Sequence, residues 1–178
     1  GYGYGFTCYR TRLGRDYNDA TLSFESLGDR AQIYINRDLA GICYINENLE
    51  LKFSAKKGDE LTVLTENMGR ANFGAKKKKK KGIAGRCLID SKIHFGWNVY
   101  PLPMDNLQKL TYTENTPKEK SIFYKGSLII DEAKDTFLKL QNFTKGFVTI
   151  NGFNIGRYWE IGPQQTLYVP ASILKKGE

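Results

Sequence analysis

The nine residues "IYINRDLAG" at 33–41 return as "VTINGFNIG" at 148–156, and a chain that writes one phrase twice is expected to fold each copy alike. Aligning Asn36 on Asn151 sets an offset of 115 residues, and that offset also carries Tyr9 of "FTCYRTRL" onto Tyr124 of "IFYKGSLII". With one residue of slippage, "LSF" at 22–24 answers to "FLKL" at 137–140. Each copy reads as strand, strand, loop, strand, so strands are expected at both Tyr9 and Tyr124. Inside the phrase, Ile33 and Ile35 alternate with Gln32 and Tyr34, and Val148 and Ile150 flank Thr149. A period of two marks a half-buried antiparallel strand with one wet face. Asn151-Gly152 is a hairpin signal, because a type I′ turn needs positive φ at both central positions. One four-strand unit cannot bury its apolar face, so each copy is expected to stack two sheets. The fold class that follows is all-β, with two tandem antiparallel β-sandwich domains.

The repeat also bears on the second copy's completeness. "LKFSAKKGDE" at 51–60 leads into the strong strand 61–66, whereas "LYVPASILKKGE" at 167–178 reaches the end of the sequence before any matching strand. The second sandwich therefore reads as truncated, with an exposed, unpaired edge. Residues 1–103 form the first domain and 121–178 the second. The polar, aperiodic stretch 104–120, which contains Pro117, reads as a linker whose first half, 104–110, makes a short helical turn. Gly1 reads as a cut into a longer protein. The missing signal peptide then leaves the compartment unknown, with secreted, cell-surface and lysosomal settings all open. No apolar run is long enough to span a membrane. The sequon Asn142-Phe143-Thr144 matters only in a secreted, glycosylated setting.

Aromatics at 13% with 18 glycines suit short strands and tight turns. The formal charge of +8 raises the question of nucleic acid, but six of the 27 basic residues form the run 76–81, and without it 21 face 19 acidic residues. A phosphate-binding face spreads its cations and interleaves aromatics, whereas this block repels itself and stays solvated, which argues against nucleic acid. Cys8, Cys43 and Cys87 are far apart and odd in number, so they read as buried hydrophobes; no metal site, and no cofactor, is indicated. His94 in "KIHFGW" lacks a triad partner nearby in sequence. "GYGYG" at 1–5 reads as a turn before a strand rather than a phosphate loop.

At "TENMGRANFG" (65–74), "FGWNVYPLPMDNL" (95–107), "FYKGSL" (123–128) and "KGFVTINGFNIGRYWEIGPQQTLYVPASILKKGE" (145–178), the chain resembles the region C-terminal to the catalytic barrel of family 35 glycoside hydrolases, the β-galactosidases. The repeated phrase is similar to that of the galactose-binding-like jelly rolls this family carries in tandem. The resemblance implies a parent that removes terminal β-linked galactose with two glutamates, roughly 5 Å apart, on a (β/α)₈ barrel absent from these residues. It implies no catalytic residue here, with the barrel as partner and the fragment bracing it and walling its cleft. By the resemblance, the loop after "ENMGR" leans toward the active-site mouth, which makes Arg70, Asn72 and Phe73 substrate-facing candidates; Phe73 as a buried anchor of the loop is the other reading. Glu66 is expected to accept hydrogen bonds from backbone or Arg70 rather than to act in catalysis. Arg157, Tyr158 and Trp159 are candidates for a galactoside platform or for an interface, as is Trp97, whose setting beside two prolines reads as structural. A free-standing galactoside-binding module is the alternative to the scaffold reading.

Overall fold

The computed structural model describes residues 5–45, 47–69, 72–73, 80–114 and 121–177. The chain divides into two compact units, Gly1–Phe123 and Tyr124–Glu178. The first holds β1 (Phe6–Arg12), β2 (Tyr17–Phe24), β3 (Leu27–Gly28), β4 (Arg30–Ile35), β5 (Asp38–Tyr44), β6 (Glu50–Ala55) and β7 (Glu60–Glu66). After the next loop come β8 (Gly82–Ile83), β9 (Cys87–Ile89), β10 (Lys92–Ile93) and β11 (Asn98–Leu102). The second unit holds β12 (Thr136–Lys139), β13 (Lys145–Ile150), β14 (Phe153–Trp159) and β15 (Thr166–Val169). The short helical turn expected at 104–110 is a 3-10 turn at Leu107–Lys109.

The first unit is a sandwich of two antiparallel sheets. One runs in the order β11-β1-β7-β4-β5 and the other β10-β9-β2-β6. Alternation explains which faces meet. Ala20, Leu22 and Phe24 of β2 are buried between half-exposed Thr21 and Ser23, and across the core Ile33 of β4 and Leu61 and Val63 of β7 are fully enclosed. Each such side chain contributes roughly 1.5–3 kcal/mol by leaving water. Cys8, Cys43 and Cys87 are free and buried, as small hydrophobes are. Burial raises all three thiol pKa values, Cys43 to about 11 and Cys87 to about 12.

The repeat is visible down to its irregularities. β4 and β5 turn at Asn36 as β13 and β14 turn at Asn151, and both asparagines have positive φ, 55° and 49°. Gly152 follows at φ 85°, so both central residues of the second turn occupy the region expected. The pairing slips between Ile33 and Tyr34, where Gly41 and Leu39 lie opposite, and between Val148 and Thr149, where Gly156 and Asn154 lie opposite. The same β-bulge thus recurs 115 residues later. On the partner sheet, Leu22 pairs with Leu51 as Leu138 pairs with Leu167, one residue further along.

Two expectations need correcting. The face of β4 carrying Gln32 and Tyr34 is not wet: Tyr34 is buried, and its hydroxyl lies 2.7 Å from Ser121 Oγ, which in turn donates to Gln32 Oε1 at 3.3 Å. The segment at Ser121 covers that face. The Tyr124 stretch, expected to be a strand like β1, has no strand structure. In the first unit β1 is held on both sides, by β7 and β11, whereas the second unit consists of two separate two-stranded sheets, β12-β15 and β13-β14.

Candidate functional site

The loop after β7 is built beside a charged frame, half-buried at Asp29 and Lys81 and buried at Arg30 and Glu66. Asp29 donates its backbone N–H to the Glu66 carbonyl at 3.0 Å and accepts from the Ile45 N–H at 2.9 Å, which fixes its position between β3 and β4. Its Oδ2 accepts the Met68 N–H at 2.9 Å and also the Lys81 ammonium. One carboxylate therefore ties together the two ends of the loop that leaves β7 and enters β8. Beside it, the Glu66 carboxylate pairs with the Arg30 guanidinium at 3.7 Å, both side chains nearly enclosed. Arg30 Nε donates to the Tyr44 hydroxyl at 3.2 Å, with the guanidinium 5.6 Å from that ring. Such a pair, out of water and braced by further hydrogen bonds, is a structural arrangement rather than a reactive one.

Within the loop, Asn67 Oδ1 accepts the Gly69 N–H at 3.0 Å, which begins the turn. Phe73 is 86% exposed, so it does not serve as a buried anchor. Asn72 beside it is also exposed. Arg70 lies outside the described residues, as do lysines 76–79 of the basic run.

The three second-unit candidates lie on β14, where neighbouring side chains point to opposite faces. Arg157 and Trp159 share one face and Tyr158 takes the other, so the strand does not gather all three into a single platform. Trp159 sits across from Lys145 of β13, whose ammonium lies 4.8 Å from the indole, within cation–π reach. Arg157 stands opposite Phe147. Tyr158 packs edge-on to Phe143, which is edge-on to Tyr124, and burial followed by the nearby Tyr124 raises the Tyr158 pKa.

Trp97 packs against the first unit's core, and its indole N–H donates to the His94 carbonyl at 3.1 Å. The His94 ring meets it edge-on, with Nε2 3.1 Å from Thr11 Oγ1. Burial lowers the His94 pKa, which favours the neutral ring. Among the described residues no group of three His, Cys, Asp or Glu side chains gathers as metal ligands, and no helix is long and apolar enough to cross a membrane. What sequence reasoning missed is the Asp29 clamp; the only signal was an acid next to Arg30, whose partners lie 39 and 52 residues away.

A layered antiparallel architecture, with a half-buried Asp29–Lys81 pair at the ends of one first-unit loop, defines the class as all-β accessory domains. The chain belongs to the β-galactosidase family. A family model for the β-galactosidase first all-beta domain matches residues 1–103, and one for the β-galactosidase galactose-binding domain matches residues 121–178. Among curated relatives, a β-galactosidase of Macaca fascicularis is 36% identical over 196 residues, covering 96% of this chain and 29% of the relative. The Homo sapiens β-galactosidase is 35% identical with the same coverage, and Arabidopsis thaliana β-galactosidase 17 is 31% identical, covering 98% of this chain and 30% of the relative. The chain thus spans about 30% of the length of the curated relatives it matches.

Proposed function

We propose that these residues form the non-catalytic β-sandwich region of a β-galactosidase that hydrolyses terminal β-galactosides, bracing the catalytic barrel and helping to wall its active site. The support is the pair of family matches together with the Asp29 clamp, which tethers both ends of a loop while Phe73 stands out in solvent. An exposed ring on a loop whose two ends are held offers a flat apolar face to the C–H side of a sugar, and Asn72 beside it adds a donor and an acceptor. The acid pair that cleaves the glycoside belongs to the barrel.

The test uses the full-length enzyme. Phe73→Ala is expected to lower kcat/KM for a chromogenic β-galactoside by about tenfold while leaving the unfolding temperature unchanged, about 1.4 kcal/mol of lost transition-state binding. Unaltered kcat/KM would remove Phe73 from the cleft wall. The 178-residue chain alone is expected to show no turnover; hydrolysis of the chromogenic substrate that survives purification would overturn the scaffold reading. A second reading, a galactoside-binding module, draws on the description of the second matched domain and on the Lys145–Trp159 contact. Calorimetric titration of this chain with galactose or lactose separates the two. Saturable binding lost in Trp159→Ala supports the module, and its absence supports the scaffold.

A further inference from the structure

Between β12 and β13 the chain turns through Asn142-Phe143-Thr144, the only Asn-x-Ser/Thr triplet in the 178 residues. Burial alternates along it: Phe143 is half-buried while Asn142 and Thr144 are exposed. The cause lies in the middle residue. Its ring stands edge-on to Tyr124, with centroids 5.2 Å apart, and edge-on to Tyr158 at 6.3 Å, so the turn is pinned inward at Phe143. The far side is pinned as well, because the Thr144 carbonyl accepts the Glu160 N–H at 2.8 Å. The two flanking side chains are thereby held toward solvent, and among the described residues neither the Asn142 amide nor the Thr144 hydroxyl takes a hydrogen-bond partner.

Turn geometry accounts for only one of these two residues. Asn142 sits at φ 66°, a left-handed conformation that asparagine tolerates better than most residues. Glycine or aspartate would serve that turn too, and nothing in it calls for Thr144, whose fixed contact is made by its backbone. The first copy of the repeat sharpens the contrast. At the offset of 115 residues Asn142 answers to Leu27, which pairs with Ile83 and is 1% exposed. A position that one copy encloses is opened by the other, and there alone the chain places this triplet.

We propose that Asn142 is an N-glycosylation site, and that the parent enzyme receives its glycan there from a lipid-linked oligosaccharide in the secretory pathway. Asn-x-Ser/Thr, with x other than proline, is the acceptor triplet, and the hydroxyl at its third position is the part that the turn does not need. The Asn142 Nδ2 bonds to the anomeric carbon of the sugar, the bond from that carbon to the phosphate oxygen breaks, the amide gives up one proton, and the lipid diphosphate leaves. Addition to the nascent chain requires the triplet. Retention in the folded protein requires an exposed amide with room beyond it, which the pinned turn supplies. Oxidising surroundings suit the rest of the chain, because Cys8, Cys43 and Cys87 are all buried. The inference stands apart from the cleft-wall reading, since it uses no residue of the Phe73 loop.

The test is made on the full-length enzyme as its own cells produce it. The peptide spanning Asn142 is expected to carry a ladder of hexose and N-acetylhexosamine masses, removed by peptide N-glycosidase with aspartate left in place of the asparagine. Expressed in the same cells, Thr144→Ser is expected to keep the glycan, whereas Thr144→Ala and Asn142→Gln lose it, with a cooperative urea transition as the check that each variant is folded. A bare Asn142 in the native enzyme would overturn the proposal, and so would a glycan that persists on folded Thr144→Ala enzyme.

Discussion

Glu66, expected from the sequence to accept hydrogen bonds from backbone or Arg70, is paired in the fold with Arg30. Its carboxylate faces the buried Arg30, so Glu66→Gln leaves a positive charge enclosed without its counter-ion. The expected loss is about 3–5 kcal/mol of first-unit stability, read from urea midpoints, and replacing both partners by apolar residues should recover much of it. The partner was not legible, because Arg30 and Glu66 stand directly opposite each other in a β4–β7 pairing that no local spacing announces. A surface acid shows the other extreme. The Arg86 guanidinium and backbone N–H bind the Glu25 carboxylate and hold its pKa down to about 2. A depressed carboxylate contributes stability that is present above its unfolded value near ~4.3 and is lost as the pH falls toward about 2. Carboxyl NMR should find Glu25 titrating near 2 in the native chain, and Arg86→Ala should move the midpoint up toward ordinary glutamate.

At the scale of elements, the two hairpins make a matched pair with unequal surroundings. Ile33 and its counterpart Val148 occupy the same side of the same bulge, yet Ile33 is fully enclosed while Val148 is half-buried. Ile33→Ala should cost about 2–5 kcal/mol, and Val148→Ala about 1 kcal/mol or less, in chemical denaturation followed by a probe in each unit. The hairpins, their Asn turns and the alternation in β2 were legible because they depend on neighbours in sequence. The bulges were not, since an extra residue in one strand is defined only by its partner. Nor was the cover that Ser121 places over β4, or the absence of a strand at Tyr124, whose local pattern favours one but whose lateral neighbours decide. Of the candidate site, sequence located the loop and the aromatics; the clamp beneath the loop and the split of Arg157 and Trp159 from Tyr158 needed the fold.

For the whole molecule, the uneven distribution of enclosed side chains predicts two separate unfolding events. The second unit, with Leu167 and Val169 as its enclosed hydrophobics among the described residues, should open at lower denaturant than the first, whose core spans two full sheets. Tryptophan fluorescence can follow both, since Trp97 belongs to the first unit and Trp159 to the second. Coincident midpoints in two variants, each retaining only one of the indoles, would contradict this. The three cysteines add a consequence of their placement. All lie in the first unit, shut away and with thiols held protonated, so a maleimide or iodoacetamide finds no nucleophile until that unit opens. Alkylation therefore acts as a clock that ticks for one half of the molecule and stays deaf to the other, and a protein that has already lost its weaker half will still register as intact.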